Sequence, residues 1–204
     1  LHTFTDVALM DLATVPWTGV HNSSGDMPED VADGYLKIIA DEITATNIST
    51  AKGNFYTLSG SATDYTSSSI GDELKNQFQK FDQKTREAGV QIVIPYRYID
   101  MYKEWYKSEY TNITDGDVPT EYLDGTNKKA KFIWSSDMGD TKRVVMCKPG
   151  MLIWATDKIN KEFGKIKVFH PEGNPLLIGA LSKSVIGFQI HSIHPKMFNC
   201  NNLA

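Results

Sequence analysis

Between Ser69 and Tyr110 the spacing of apolar residues changes twice, and that double change confines the chain to folds that mix helices with sheet. In "SIGDELKNQFQKFDQKTREAG" the residues Ile70, Leu74, Phe78, Phe81 and Ala88 fall on one helical stripe. Ser69 is placed to cap this segment and Gly89 to end it, so the spacing predicts one long helix over 69–88. "VQIVIP" follows directly, a short apolar run rich in Val and Ile of the kind that forms a buried strand. Pro95 stops it, and helical spacing resumes through Tyr98, Met101, Tyr102 and Trp105.

The flanking text completes an α+β pattern. Upstream, Asp26 is an N-cap candidate with Pro28 in the first turn and Glu29 three residues on, and Val31, Tyr35, Ile38, Ile39 and Ile43 extend the stripe. The stretch 45–69 is rich in Ser, Thr and Gly and predicts a polar linker outside the core. Residues 111–130 form a second polar loop. Beyond it "KAKFIWSS", "RVVMCKP", "GMLIWATD", "GKIKVFHP" and "SVIGFQIHSI" alternate with Gly, Pro, Asp and Asn turns, so the second half is expected to be mostly sheet.

With 204 residues, 41% apolar and 23% charged, the composition is that of an ordinary soluble globular protein of one or two domains. No run of about 18 apolar residues occurs, which excludes a helical membrane span. The start lacks both Met and a signal-peptide pattern and is read as a cut or processed end. Cys147 and Cys200 are read as free thiols, because a chain of this size needs no disulfide. Residues 1–125 hold 20 acidic and 9 basic side chains, residues 126–204 hold 5 and 12, so the net charge of -4 conceals opposed halves. Such halves can attract each other within one fold or between neighbouring copies. The lysines are scattered rather than clustered, so sequence-specific nucleic-acid binding is not expected.

"SVIGFQIHSIHPKMFNCNN" holds the densest set of metal-capable side chains. Read as a strand, it aims His191 and His194 at opposite faces, which argues against one metal site. Its apolar part is expected to be the last strand of the central sheet, with the fold ending after Pro195 and Cys200 near a free terminus. His21 and His170 lie beside turn sequences and are read as surface or structural residues. "DGD" at 115–117 lacks the twelve-residue calcium-loop spacing. No "GxSxG", "HExxH", "CxxC", Walker loop or "GxGxxG" is present, so no catalytic set, cofactor or metal is assigned. The helix after Pro95 carries Tyr96, Tyr98, Tyr102, Trp105, Tyr106 and Tyr110, more rings than one buried stripe accommodates. Tyr98, Tyr102, Trp105, Tyr106 and Tyr110 are therefore candidates for an interface.

The order of "IGDELKNQFQKFDQKTREAG", "VQIVIPYRYIDMYKEWY", "LDGTNKKAKFIWSSDMGDTKRVVMCKPGMLIWATD" and "IGALSKSVIGFQIHSIHPKMFNC" resembles tailed-phage major capsid proteins of the Hong Kong 97-like fold, in the form found in phages and prophages of Bacteroides-type bacteria. The resemblance covers the chain from about residue 27, without a counterpart of the extended N-terminal arm and long hairpin. It implies a central mixed sheet flanked by helices, with a final strand pairing back into that sheet. Residues 1–68 would be a partial peripheral region and linker, 69–204 an axial-type α+β domain, and the loop at 111–130 an axial tip. It implies a structural subunit without small-molecule substrate or membrane contact, self-associating into a virion shell after assembly in the host cytoplasm. Two alternatives stay open. One is a hydrolase or metal-dependent enzyme with its site near His170, His191 or His194; the other is a carbohydrate- or protein-binding module using exposed Tyr and Trp.

Overall fold

The computed structural model describes residues 13–156, 167–169, 179–181 and 186–203. The chain divides into two compact units, one formed by Leu1–Lys37 with Ile153–Gln189 and the other by Ile38–Leu152 with Ile190–Ala204.

In the first unit, residues 13–18 form helix α1. The chain then runs through a 3-10 turn at Pro28–Asp30 and enters α2, Tyr35–Thr44, which from Ile38 onward belongs to the second unit. The helix expected to start at Asp26 is thus delayed to Tyr35. The cause is a close approach: Gly34 donates to the Gly19 carbonyl at 2.8 Å, and a Cβ at Gly34 would sit 2.7 Å from the Val15 carbonyl oxygen. A continuous helix would have to push this crossing apart. Strands β5 (Leu152–Thr156) and β8 (Ile186–Ile190) pair as a two-stranded sheet, and β6 (Lys167–Phe169) pairs antiparallel with β7 (Gly179–Leu181). Trp17, Tyr35, Phe188 and Trp154 form a chain of ring contacts with centroids 5.3, 5.5 and 6.0 Å apart.

The second unit is built on a five-stranded mixed sheet in the order β1-β9-β4-β2-β3. Its strands are β1 (Phe55–Tyr56), β2 (Val90–Pro95), β3 (Ala130–Ser135), β4 (Val145–Cys147) and β9 (Phe198–Asn201). β2 runs parallel to β3 and antiparallel to β4; β9 runs antiparallel to β4 and parallel to β1. Register puts Ile92, Phe132, Met146 and Asn199 on one face, and Val93, Val145 and Cys200 on the other.

The expected last strand needs correction. Its described part, Ile186–Ile190, pairs with β5 and not with the central sheet, and the strand that returns to that sheet is "FNCN", the segment read as a tail. Cys147 and Cys200 are free thiols, as expected, but both are fully buried in the middle of the sheet. Burial raises the Cys147 thiol to about 12 and the Cys200 thiol to about 11, the latter despite the nearby Arg143 guanidinium.

The long helix at 69–88 is two helices, α3 (Ile70–Gln79) and α4 (Gln83–Ala88). Asp82 breaks it by accepting a hydrogen bond from the Thr85 amide at 2.9 Å, an N-cap that starts a new helix and leaves Phe81 buried at the bend. Ser69 stands at the start of α3, but its hydroxyl pairs with Thr66 Oγ1 at 2.8 Å rather than capping. Gly89 ends α4 with φ at 100°, and α5 spans Ile99–Glu109. The predicted polar linker is not outside the core, since Ile48, Tyr56, Leu58 and Tyr65 are all buried. Val118 and Leu123 likewise carry the 111–130 loop into the core.

Candidate functional site

The aromatic residues of α5 divide by helical position. Tyr98, Tyr102 and Trp105 follow one another at i, i+4 and i+7 and are 0%, 0% and 1% exposed. These three interface candidates are therefore part of this chain's own core, a correction with a clear cause. Gly71 of α3 leaves a gap into which the Trp105 indole fits; a Cβ there would lie 2.2 Å from the ring. Tyr102 meets Trp105, Phe132 and Trp134 at centroid distances of 5.6, 4.9 and 6.1 Å. The rings that face outward are Tyr96 and Tyr110, 54% and 41% exposed, with Tyr106 half-buried between core and surface. Tyr106 and Tyr110 lie 4.6 Å apart, and the Tyr110 hydroxyl donates to Asp124 at 2.7 Å.

Two carboxylates fix this surface. Asp124 accepts from Tyr110 and from Lys75 Nζ at 3.0 Å, and its amide donates to the Tyr102 hydroxyl at 3.2 Å. Partial burial opposes its ionisation, but the Tyr110 and Lys75 hydrogen bonds prevail and hold the carboxyl below the usual range. Asp64 accepts from the Tyr98 hydroxyl at 2.5 Å and pairs with Lys142 at 3.1 Å and Arg97 at 3.6 Å. It too is held low: burial opposes ionisation, and the Tyr98 and Lys142 hydrogen bonds outweigh it. These contacts join the start of α5 to two loops, at 64 and 142.

The histidines fall elsewhere. β8 ends at Ile190, so strand parity does not extend to His191 and His194, and the expectation that they point to opposite sides is corrected. Both line one open groove of about 590 Å³ in the second unit, with Glu42, Asn47 and Lys52. Asn54, 2% exposed, ties this groove together by donating to the Asn47 carbonyl at 3.0 Å and the Ile193 carbonyl at 2.7 Å. Glu42 accepts from Asn47 Nδ2 at 2.8 Å, and Asn47 Oδ1 accepts from Lys52 at 3.2 Å. Among the described residues no three His, Cys, Asp or Glu side chains come together as a metal-binding group. His21 is exposed, with its ring Nδ1 3.1 Å from the Asp30 carbonyl oxygen and 3.2 Å from that of Val31. His170 lies outside the described residues.

Sequence reasoning missed a polar layer inside the sheet. Asn201 donates to the Tyr65 hydroxyl and the Lys142 carbonyl and accepts from the Val144 amide; Gln77 donates to Asn199 Oδ1 at 3.2 Å. Arg143, 7% exposed, donates to the Asn201 carbonyl at 3.1 Å. The only signal in the sequence was negative, a cluster of Asn where a tail was expected.

Neither a protein-family profile nor a curated protein sequence matches the chain. Two solved structures are similar to it. One is a virus-like particle from Pyrococcus furiosus, 13% identical, with TM-score 0.40 over 86% of this chain and 64% of that chain. The other, from Mycobacterium phage Che8, is 14% identical, with TM-score 0.38 over 83% and 64%. The chain spans less than two thirds of the length of either.

Proposed function

We propose that the chain is a structural subunit of a phage or prophage capsid, building a shell by repeated lateral contacts between copies and performing no chemistry. The observation that carries this reading is the place of β9. The end of the chain, Phe198–Asn201, inserts between β1 and β4 of a mixed sheet, so a final strand does return to that sheet, supplied by "FNCN" in place of the expected "SVIGFQI". The sheet is rigid for a subunit that must hold its contacts in register, because helices α3 and α5 share one core with its inner face.

On this reading the unit formed by Ile38–Leu152 and Ile190–Ala204 is the axial-type domain, and the loop at 111–130 approaches a local symmetry axis. Tyr106 and Tyr110 are the aromatic contacts left for a neighbour, since the other ring candidates are consumed by the core. Symmetric assembly uses the same patch in every copy, so a weak pairwise contact becomes a stable shell. The test is electron microscopy of the purified chain at high protein concentration over a range of ionic strength. Closed particles or regular curved sheets are expected, and a field of single compact molecules under all conditions contradicts the reading.

A further inference from the structure

We propose that the groove between α4 and the turn at 126–129 receives the acidic, aromatic end of α5 from a second copy of this chain, joining copies head to tail about a rotation axis. This rests on the shell-subunit reading and names a contact that such a subunit requires.

The groove measures about 380 Å³ and is lined by Phe78, Arg86, Gly125, Thr126 and Lys129 among others. Arg86 comes from the last turn of α4. Its Nε is buried with no hydrogen-bond partner, and no described carboxylate pairs with its guanidinium. A buried guanidinium edge without an acceptor is an unmet demand for a carboxylate or phosphate, the two groups its planar fork fits. The opposite wall supplies one more cation, Lys129. Asn127 and Lys128 hold φ at 51° and 60°, and the turn is closed by the Lys129 amide on the Thr126 carbonyl at 3.0 Å. Two successive left-handed residues without glycine are strained, and the turn they make places Asn127 and Lys129 in the lining of the groove. The one carboxylate on the rim, Glu87, already accepts from Gln83 at 2.8 Å.

The matching surface lies beside it. Glu109 is exposed and without a partner among the described residues, one helical turn from Tyr106 and next to Tyr110. Tyr110 bonds Asp124, and the following residue, Gly125, lines the groove, so the acidic patch and the basic groove adjoin. Glu109 on the patch and Arg86 Nε in the groove have no hydrogen-bond partner among the described residues. A neighbour rotated about a nearby axis pairs patch with groove, and repetition of that step closes a ring. A phosphate polymer is the competing occupant, and an oligonucleotide-binding measurement separates the two.

The experiment is sedimentation velocity of the full chain at low ionic strength, comparing wild type with R86E, E109K and the R86E/E109K exchange, with circular dichroism to verify folding. Each single reversal is expected to raise the concentration of half-association about tenfold, and the exchange to restore association. Association that R86E leaves intact, or an exchange that fails to restore it, overturns the contact alone. Binding of a single-stranded oligonucleotide that R86E abolishes while association persists assigns the groove to nucleic acid instead. A wild-type chain that never associates sinks the shell reading and this contact with it.

Discussion

Asn201 concentrates several obligations in one fully buried amide. It donates to Tyr65 and to the Lys142 carbonyl and supplies the acceptor for the Val144 amide in the centre of the sheet. Asn201→Leu keeps the volume but strands a buried N–H, so a loss of about 2 kcal/mol is expected in urea unfolding. At Thr46 the sign reverses. It occupies the left-handed position that closes α2, with φ at 58°; its amide bonds the Ile43 carbonyl and the Asn47 amide bonds the Glu42 carbonyl. That pattern of two bonds normally uses glycine, and a β-branched residue pays for it in strain. Thr46→Gly is expected to stabilise the protein by about 1 kcal/mol in the same assay. Asp124 adds a pH dependence. Its folded carboxyl titrates below the unfolded one, so its contribution is present above the unfolded pKa of about 3.9 and disappears as pH falls through the folded value. Asp124→Asn should therefore narrow the difference in melting temperature between neutral and acid pH, and an unchanged difference would remove Asp124 from the acid response.

The α3–α5 contact depends on one missing side chain. Gly71 lies within α3, where alanine is the better helix former by about 1 kcal/mol, yet a Cβ at this position would overlap the Trp105 indole. Gly71→Ala is expected to lower stability by about 1–3 kcal/mol and to alter the tryptophan fluorescence, because packing outweighs propensity here. The same balance explains which elements could be read from the sequence. β2, β3 and α5 were legible because their apolar spacing matches what they bury. α3 and α4 merged into one helix in the sequence because Phe81 keeps the stripe continuous, while the break is made by the Asp82 side chain. β9 was illegible because Asn199 and Asn201 face partners 122 and 136 residues away, Gln77 and Tyr65. Local polarity therefore reads as a tail. Three of the five interface candidates, Tyr98, Tyr102 and Trp105, lie in the core for a related reason: helical spacing shows that rings share a face, not that Gly71 opens a pocket for the largest of them.

At the scale of the whole molecule the charge asymmetry seen in the sequence acquires a location. The end of α5 and the basic turn at 126–129 adjoin through the Tyr110–Asp124 hydrogen bond, and Glu109 has no partner among the described residues. Among the described residues no helix is long and apolar enough to cross a membrane; Tyr110 is exposed and Tyr106 half-buried beside it. On the proposed reading a copy of the same chain covers these rings, and high ionic strength is expected to weaken the charged part of the contact. The measurement that tests self-assembly most directly is the mass distribution of the full chain in solution as concentration rises at low salt, by mass photometry or sedimentation. Discrete ring masses, integral multiples of the 22.8 kDa chain that grow into larger closed species, are predicted. A single 22.8 kDa species at every concentration would contradict the capsid-subunit reading.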